Sequence, residues 1–548
     1  MKYLFAFLFL IGPLYQSSAQ YHYVKQWDKR FGGNRSDNVY SLKITVDKGF
    51  ILSGASRSAV SGDKTQQNWD TTYASSDVWI VKVDSSGNKE WDKRFGGLNQ
   101  DFSFQVVQAQ DNGYAISAYT SSGLIGDLTQ PSRGNIDYWL IKTDSLGDKQ
   151  WDRRFGGSGR EELWGIQQTL DRGYILGGSS FSSISGDKTE PNWGGCDYWV
   201  VKTDSIGNKM WDKRFGGDNY DYMFDIVQAS DGGYLLGGYS YSNISGDKSQ
   251  SNWDWLHANM WIVKIDASGN KQWDKRFGGV RGETFHALLQ TSDNGFVLAG
   301  MSYSDISGDK TQVGNNGSAD YWIVKIDSAG SKLWDKGYGG NDEDDLKRVS
   351  LTTDGGYLLS GNSRSDASGS KTESNTGDLQ SWIVKLDSVG NKQWDKTIHV
   401  NGNNSIANAV QTHDGCYLVA STCGAEIGGE KSMASIDSSA DYWILKFCME
   451  QYNSIDPGTE RQEPSQLQVW PNPFTSDLSI ALTGEHVANA TFTITSLMGQ
   501  VVYQQTETNL ATGYTKMLDL SYLPGGVYFV AVNTGERTVV ERVVKSSE

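Results

Sequence analysis

The chain has 548 residues, with 49 Lys and Arg against 65 Asp and Glu. That length exceeds one ordinary core, and a formal charge of -16 argues against nucleic acid and anionic lipid as partners, since both are gripped by clustered Lys and Arg. With 63 Gly, 8 Pro, 20 Trp and 27 Tyr, the composition suits many short strands joined by tight turns and opposes disorder.

Residues 1–19 have the form of a secretory signal peptide. Lys2 supplies the positive charge, Leu4 to Leu14 the apolar run, and Ser17-Ser18-Ala19 a small-residue cleavage site. The run is too short to span a bilayer and no later segment reaches about 18 apolar residues, so no transmembrane segment is expected after signal removal.

From residue 20 to 448 the chain repeats. The tryptophan of a WDKRFGG-like segment recurs at Trp27, Trp91, Trp151, Trp211, Trp273, Trp334 and Trp394. A second marker near DYWIVK keeps the same period at Trp79, Trp139, Trp199, Trp261, Trp322, Trp382 and Trp443. Two anchors at one fixed period define a repeat architecture. Within one unit, strands are predicted over Phe102 to Gln110, Tyr114 to Thr120, Tyr138 to Thr143 and Lys149 to Phe155. Asp111-Asn112-Gly113 turns the first pair, with its glycine expected to supply positive φ, and a long polar loop separates the second and third strands.

Four antiparallel strands per unit predict the blade of a β-propeller, and the count predicts seven blades. A copy of the outermost strand, Val24 to Phe31, precedes any blade, and none follows Cys448. The N-terminal strand is therefore expected to complete the seventh blade and close the ring. The Lys and Arg of the WDKR segment are expected to serve as edge charges. Over roughly residues 21–448, the pattern GG...D...DGGY..GG.S....D.W.VK.D..G....W resembles bacterial propeller repeats of the SBBP type. That resemblance implies a surface or secreted protein without a shared chemistry.

Residues 449–466 read as a linker containing Pro457, Gly458 and Pro464. In residues 467–548, short alternating strands predict an immunoglobulin-like β-sandwich, so the whole fold class is all-β. Four ordered motifs stand in this tail: Pro471-Asn472-Pro473, Gly499 within Met498 to Val501, Gly525-Gly526 with Tyr528, and a basic end reaching Lys545. Together they resemble a type A C-terminal sorting domain of the type IX secretion system. The resemblance implies a Bacteroidota protein with the type IX machinery as partner, anchored at the outer-membrane surface or released.

Motifs for zinc peptidase, serine hydrolase, P-loop and CxxC chemistry are missing, and the six histidines follow no repeat logic. No catalytic residue, cofactor or metal is expected. The long loops carry Trp69, Trp193, Trp253 and Trp255 beside Asp and Asn. Such a face can stack sugar rings, whereas the alternative is that each indole wedges against the next blade. The run Asp342 to Asp345 lacks the spacing of a calcium loop and reads as a solvated acidic face. Cys416 and Cys448 flank adjacent strands of one blade and are expected to form a disulfide, leaving Cys423 and Cys196 as buried thiols. Asp-Ser-apolar turns such as Asp144-Ser145-Leu146 resemble acceptors of Bacteroidota O-glycosylation.

The function expected is non-catalytic recognition or adhesion, directed at a surface glycan or protein. The alternatives are a lectin using the Trp-bearing loops, and an enzyme acting on polysaccharide or peptide.

Overall fold

The computed structural model describes residues 20–314, 318–452, 466–483, 487–497, 500–511, 514–534 and 538–546. The signal segment, most of the linker and Gly499 lie outside these ranges. Among the described residues there is no α-helix, and so none long and apolar enough to cross a membrane. The chain divides into two compact units, Met1–Tyr452 and Asn453–Glu548.

In the first unit, among the described residues, the strands form seven four-stranded antiparallel sheets. The first consists of Asp37–Ile44, Phe50–Ser56, Asp77–Val83 and Lys89–Phe95. Its second and third strands are buried along their whole length. Both faces of each inner strand are covered, which is why these strands read as continuous apolar runs without polar alternation. The innermost strands of successive sheets touch in chain order, and Asn404–Gln411 of the last touches Asp37–Ile44 of the first.

Each sheet is organised around its third-strand tryptophan, which is fully buried. The Trp79 indole N–H donates to the Asp92 carboxylate at 3.0 Å. The same carboxylate accepts the Thr65 N–H at 3.0 Å and pairs with Lys89 at 2.9 Å. The WD of the repeated segment is thus a hydrogen-bonding anchor for the long loop. Its Arg is a junction residue and not an edge charge: Arg154 is fully buried against Asp137, and Arg214 reaches Asp247 of the next sheet at 2.6 Å.

The junctions between sheets carry a second repeated network. The N–H of Asp101 donates to the carbonyl of Ser76 at 2.8 Å, which sets the Asp101 and Asp77 side chains beside each other away from water. Equivalent positions hold Asp441 with Asp37, Asp137 with Glu161, Asp197 with Asp221, and Asp320 with Asp344. The Gly-Gly of the repeat exists to admit these carboxyls. A Cβ on Gly156 would stand 1.9 Å from Asp137 Oδ1, and one on Gly157 would stand 2.5 Å from Ser182 Cβ. Asp344, fully buried, accepts the Gly340 N–H at 2.7 Å. This corrects the expectation of a solvated acidic face: the run from Asp342 to Asp345 is interrupted by a junction carboxyl, and Asp345 pairs with Lys347.

The first turn departs from expectation in part. Positive φ falls on the middle residue, 68° at Lys48 and 65° at Asn112, and not on the last glycine. In Asp231-Gly232-Gly233 and Asp354-Gly355-Gly356 the middle residue is itself a glycine and carries it, at 83° and 79°. The glycine is required by close approach, since a Cβ on Gly113 would lie 2.1 Å from the Thr143 carbonyl oxygen. Its Asp holds a buried third-strand lysine, as in the Lys142–Asp111 pair at 2.7 Å.

The last sheet joins the two ends of the unit. Gln20–Phe31 pairs antiparallel with Asp441–Tyr452, so the third strand continues four residues past Cys448. Trp443 donates to Asp28 at 2.9 Å, and the Tyr442 hydroxyl donates to the Trp79 carbonyl of the first sheet at 2.9 Å. Cys416 and Cys448, with Cα atoms 4.2 Å apart, are joined by a disulfide in this sheet, while Cys196 and Cys423 are buried and free.

In the second unit, strands Gln466–Trp470, Asp477–Thr483 and Thr515–Asp519 make one sheet. Val487–Ser496, Val501–Leu510, Gly526–Asn533 and Thr538–Lys545 make the other. Leu478, Ile480, Phe492, Ile494 and Val530 belong to the core they share.

Burial raises the junction carboxyls, Asp77 and Asp441 to about 7 and Asp197 to about 6. Two junctions have amides in this place: Asn259 faces Glu283, and Gln380 faces Asn404. Asn259 Nδ2 donates to Glu283 at 2.7 Å, and its Oδ1 accepts the Trp253 N–H, as Asp197 Oδ2 accepts that of Trp193. The amide makes permanently the bond that a protonated acid makes only while it keeps its proton. A raised folded-state pKa contributes stability below the unfolded value, about 4, that is lost as pH rises through the folded one. Asp77→Asn is therefore expected to match the parent at pH 4 and to exceed it at pH 8 by roughly 2–4 kcal/mol. Urea unfolding at the two pH values checks this.

Candidate functional site

Trp69, Trp193 and Trp253 each sit at a junction between successive sheets. Trp69 donates its indole N–H to Asp127 of the next sheet at 3.0 Å and lies under the Arg94 guanidinium, 5.2 Å from the ring centre. Trp253 repeats this with Asp309 at 3.0 Å and Arg276 at 4.1 Å, and Trp193 lies under Arg214 at 5.0 Å. The glycine of the next loop is in contact as well, because a Cβ on Gly308 would stand 2.4 Å from Trp253 Nε1. These indoles bridge sheets, which is the wedge geometry, while about half of each stays exposed. Trp255 is 76% exposed.

A different set of side chains converges. The seven innermost strands line one central cavity of about 520 Å³, where Ser41, Gln105, Asp225, Ala287, Arg348 and Asn408 occupy equivalent places in six repeats. Asp225 accepts the Leu288 N–H at 3.1 Å and the Gln105 amide at 3.4 Å. Burial raises its pKa, against the opposing pull of Arg348 and Lys43. Among the described residues lining the cavity, Asp225 is the one carboxylate.

One residue earlier in each repeat, Tyr40, Phe104, Trp164, Phe224, His286 and Lys347 line an adjoining mouth of about 490 Å³, which Arg348 also borders. The aromatic members form a continuous arc, with ring centres 5.2 Å apart for Tyr40–Phe104, 4.1 Å for Phe104–Trp164 and 5.1 Å for Trp164–Phe224. His286 continues it at 5.7 Å, and burial lowers its pKa to about 4, so the imidazole is neutral at physiological pH. Sequence reasoning missed this site. The available signal was a first-strand position that changes from repeat to repeat while its neighbours keep the pattern.

In the tail, the sorting motifs are tied into the sandwich. Asn472, between Pro471 and Pro473, accepts the Val544 N–H and donates to the Arg542 carbonyl, both at 2.9 Å. Lys545 is 7% exposed and donates to the carbonyls of Thr475 at 2.6 Å and Leu520 at 2.9 Å. Tyr528 donates to the Pro524 carbonyl at 2.8 Å, just before exposed Gly525 and Gly526, and the latter opens a strand.

Residues 468–546 match the family model described as a secretion system C-terminal sorting domain. The chain therefore carries the sorting tail of type IX cargo, and its class is that of an exported all-β repeat protein. Over 194 residues it is 26% identical to the regulatory protein FlaEY of Caulobacter vibrioides, a match covering 34% of this chain and 20% of that protein. Among solved structures, the Neurospora crassa Pan2 WD40 domain aligns with TM-score 0.42 and 8% identity, over 79% of this chain and 98% of that one. Sqt1 from Chaetomium thermophilum aligns with TM-score 0.39 and 9% identity, over 79% and 100%. At these levels no activity transfers to this chain.

If the loop indoles are structural wedges, Trp69→Ala and Trp253→Ala are each expected to cost about 1–3 kcal/mol, and Trp255→Ala to stay within about 0.5 kcal/mol. Denaturant unfolding of the three variants measures this.

Proposed function

We propose that residues 20–452 form a closed seven-bladed propeller that acts outside the cell as a non-catalytic recognition or adhesion module. The sorting tail delivers it to the surface or the medium of a Bacteroidota cell through the type IX machinery. Seven sheets in ring contact, with the N-terminal strand paired into the last, support the closed propeller.

One observation carries the recognition reading. The mouth of the central cavity is the place where side chains from many repeats converge and where the repeat pattern varies. A ring whose junctions are locked leaves this position free to specialise. The cavity lining supports binding over hydrolysis, because glycoside hydrolysis uses a pair of carboxyls and Asp225 stands singly among its amide and Arg348 neighbours.

Two measurements test the reading. A chain ending at residue 466 is expected to lose its signal segment yet remain in the periplasm, which fractionation detects. Labelled mature protein is expected to bind intact cells or their extracellular matrix, and Trp164→Ala with Phe104→Ala to reduce that binding at least tenfold. Equal binding by the double variant contradicts the site.

A further inference from the structure

We propose that the cavity mouth binds the terminal pyranose of an extracellular glycan, with the sugar face stacked on the Phe104–Trp164 arc. This rests on the recognition reading above. The mouth is two-sided. Sheets one to four contribute Tyr40, Phe104, Trp164 and Phe224, and the later sheets contribute His286, Lys347, Arg348 and Ser405. An apolar ligand leaves the second side unused, and a simple anion leaves the first unused. A pyranose has both parts: a C–H face that packs on aromatic rings and a hydroxyl edge that donates and accepts hydrogen bonds.

An independent atom points the same way. Trp164 Nε1 is buried and has no hydrogen-bond partner. A buried N–H left unpaired costs about 1–3 kcal/mol, so an indole kept here is disfavoured unless an oxygen arrives to accept from it. The third-strand tryptophans and two of the loop tryptophans differ. The third-strand indoles are spent on Asp, and the loop indoles Trp69 and Trp253 are spent on the next sheet and covered by Arg. Trp164 is both stacked in an open arc and unspent as a donor. The mouth, about 490 Å³, falls within the usual range for small-ligand clefts, about 300–1,000 Å³. His286, being neutral, can accept or donate to a hydroxyl without adding charge.

The test is a glycan array carrying hexose, N-acetylhexosamine and hexuronic acid termini, probed with the mature full-length chain, followed by calorimetry on the best ligand. Binding to one class of terminus is expected. Trp164→Ala and Phe104→Ala should weaken it at least tenfold, Trp164→Phe less, and Trp69→Ala and Trp253→Ala less than twofold. Lys347→Ala, a rim change outside the buried core, should weaken it severalfold and guards against misreading a folding defect. Binding unchanged by Trp164→Ala and Lys347→Ala overturns the site. A silent array from protein that still binds cells overturns the sugar while leaving the recognition reading standing. Silence in both assays overturns both.

Discussion

The constraint on which the rest of this architecture depends is the dry junction between one sheet and the next. At each junction a first-strand N–H bonds to the carbonyl just before the neighbouring third strand, and this brings two polar side chains face to face out of water. Such groups are costly in a low-dielectric seam unless they are partnered. The serines after the second strand, the N–H of the second glycine and the loop backbone supply partners to one oxygen, as at Asp101 Oδ2 and Asp77 Oδ2, while the Oδ1 atoms of both stay buried without one. Any side chain on the first glycine would displace the carboxyl. Much of the repeated pattern is therefore the chemistry of one interface, written with Gly-Gly at six junctions and with the amides of Gln380 and Asn404 at the seventh.

The junctions repeat closely, and variation from repeat to repeat is marked at the two ends of the sheets. The turn positions at the outer end vary in their exposed residues, as in Leu146 and Ile206. The inner end varies where the first strands line the cavity. Seven near-identical sheets thereby build an asymmetric mouth, aromatic on one side and cationic on the other. The same scaffold sets the two kinds of tryptophan apart: one is consumed in holding sheets and loops together, and one is left with its donor free.

Repeat length, strand order, the pairing of Gln20–Phe31 with the last sheet and the sandwich strands were legible from the sequence, because hydrophobic runs and turn residues mark them locally. The Cys416–Cys448 bond was legible because antiparallel register places both ends together. Three things were not. Asp344 reads as one more acidic residue in a charged run, and its burial follows from a neighbour about 20 residues away in chain but adjacent in space. The Asp-x-Gly turn hides a steric requirement behind a residue usually chosen for φ. The cavity mouth draws each side chain from a different repeat, so no local window contains it, and the exposed loop tryptophans attract attention that the geometry gives to Trp164.

The central claim is that the N-terminal strand completes a ring whose closure creates the cavity. Hydrogen–deuterium exchange on the mature chain and on one lacking residues 20–31 tests it most directly. The account predicts that deletion unprotects the amides of 441–452, and that the loss of protection reaches first-strand residues 37–44 across the Tyr442–Trp79 contact. Unchanged protection in both segments would contradict it, and would mean that the ring holds without the strand.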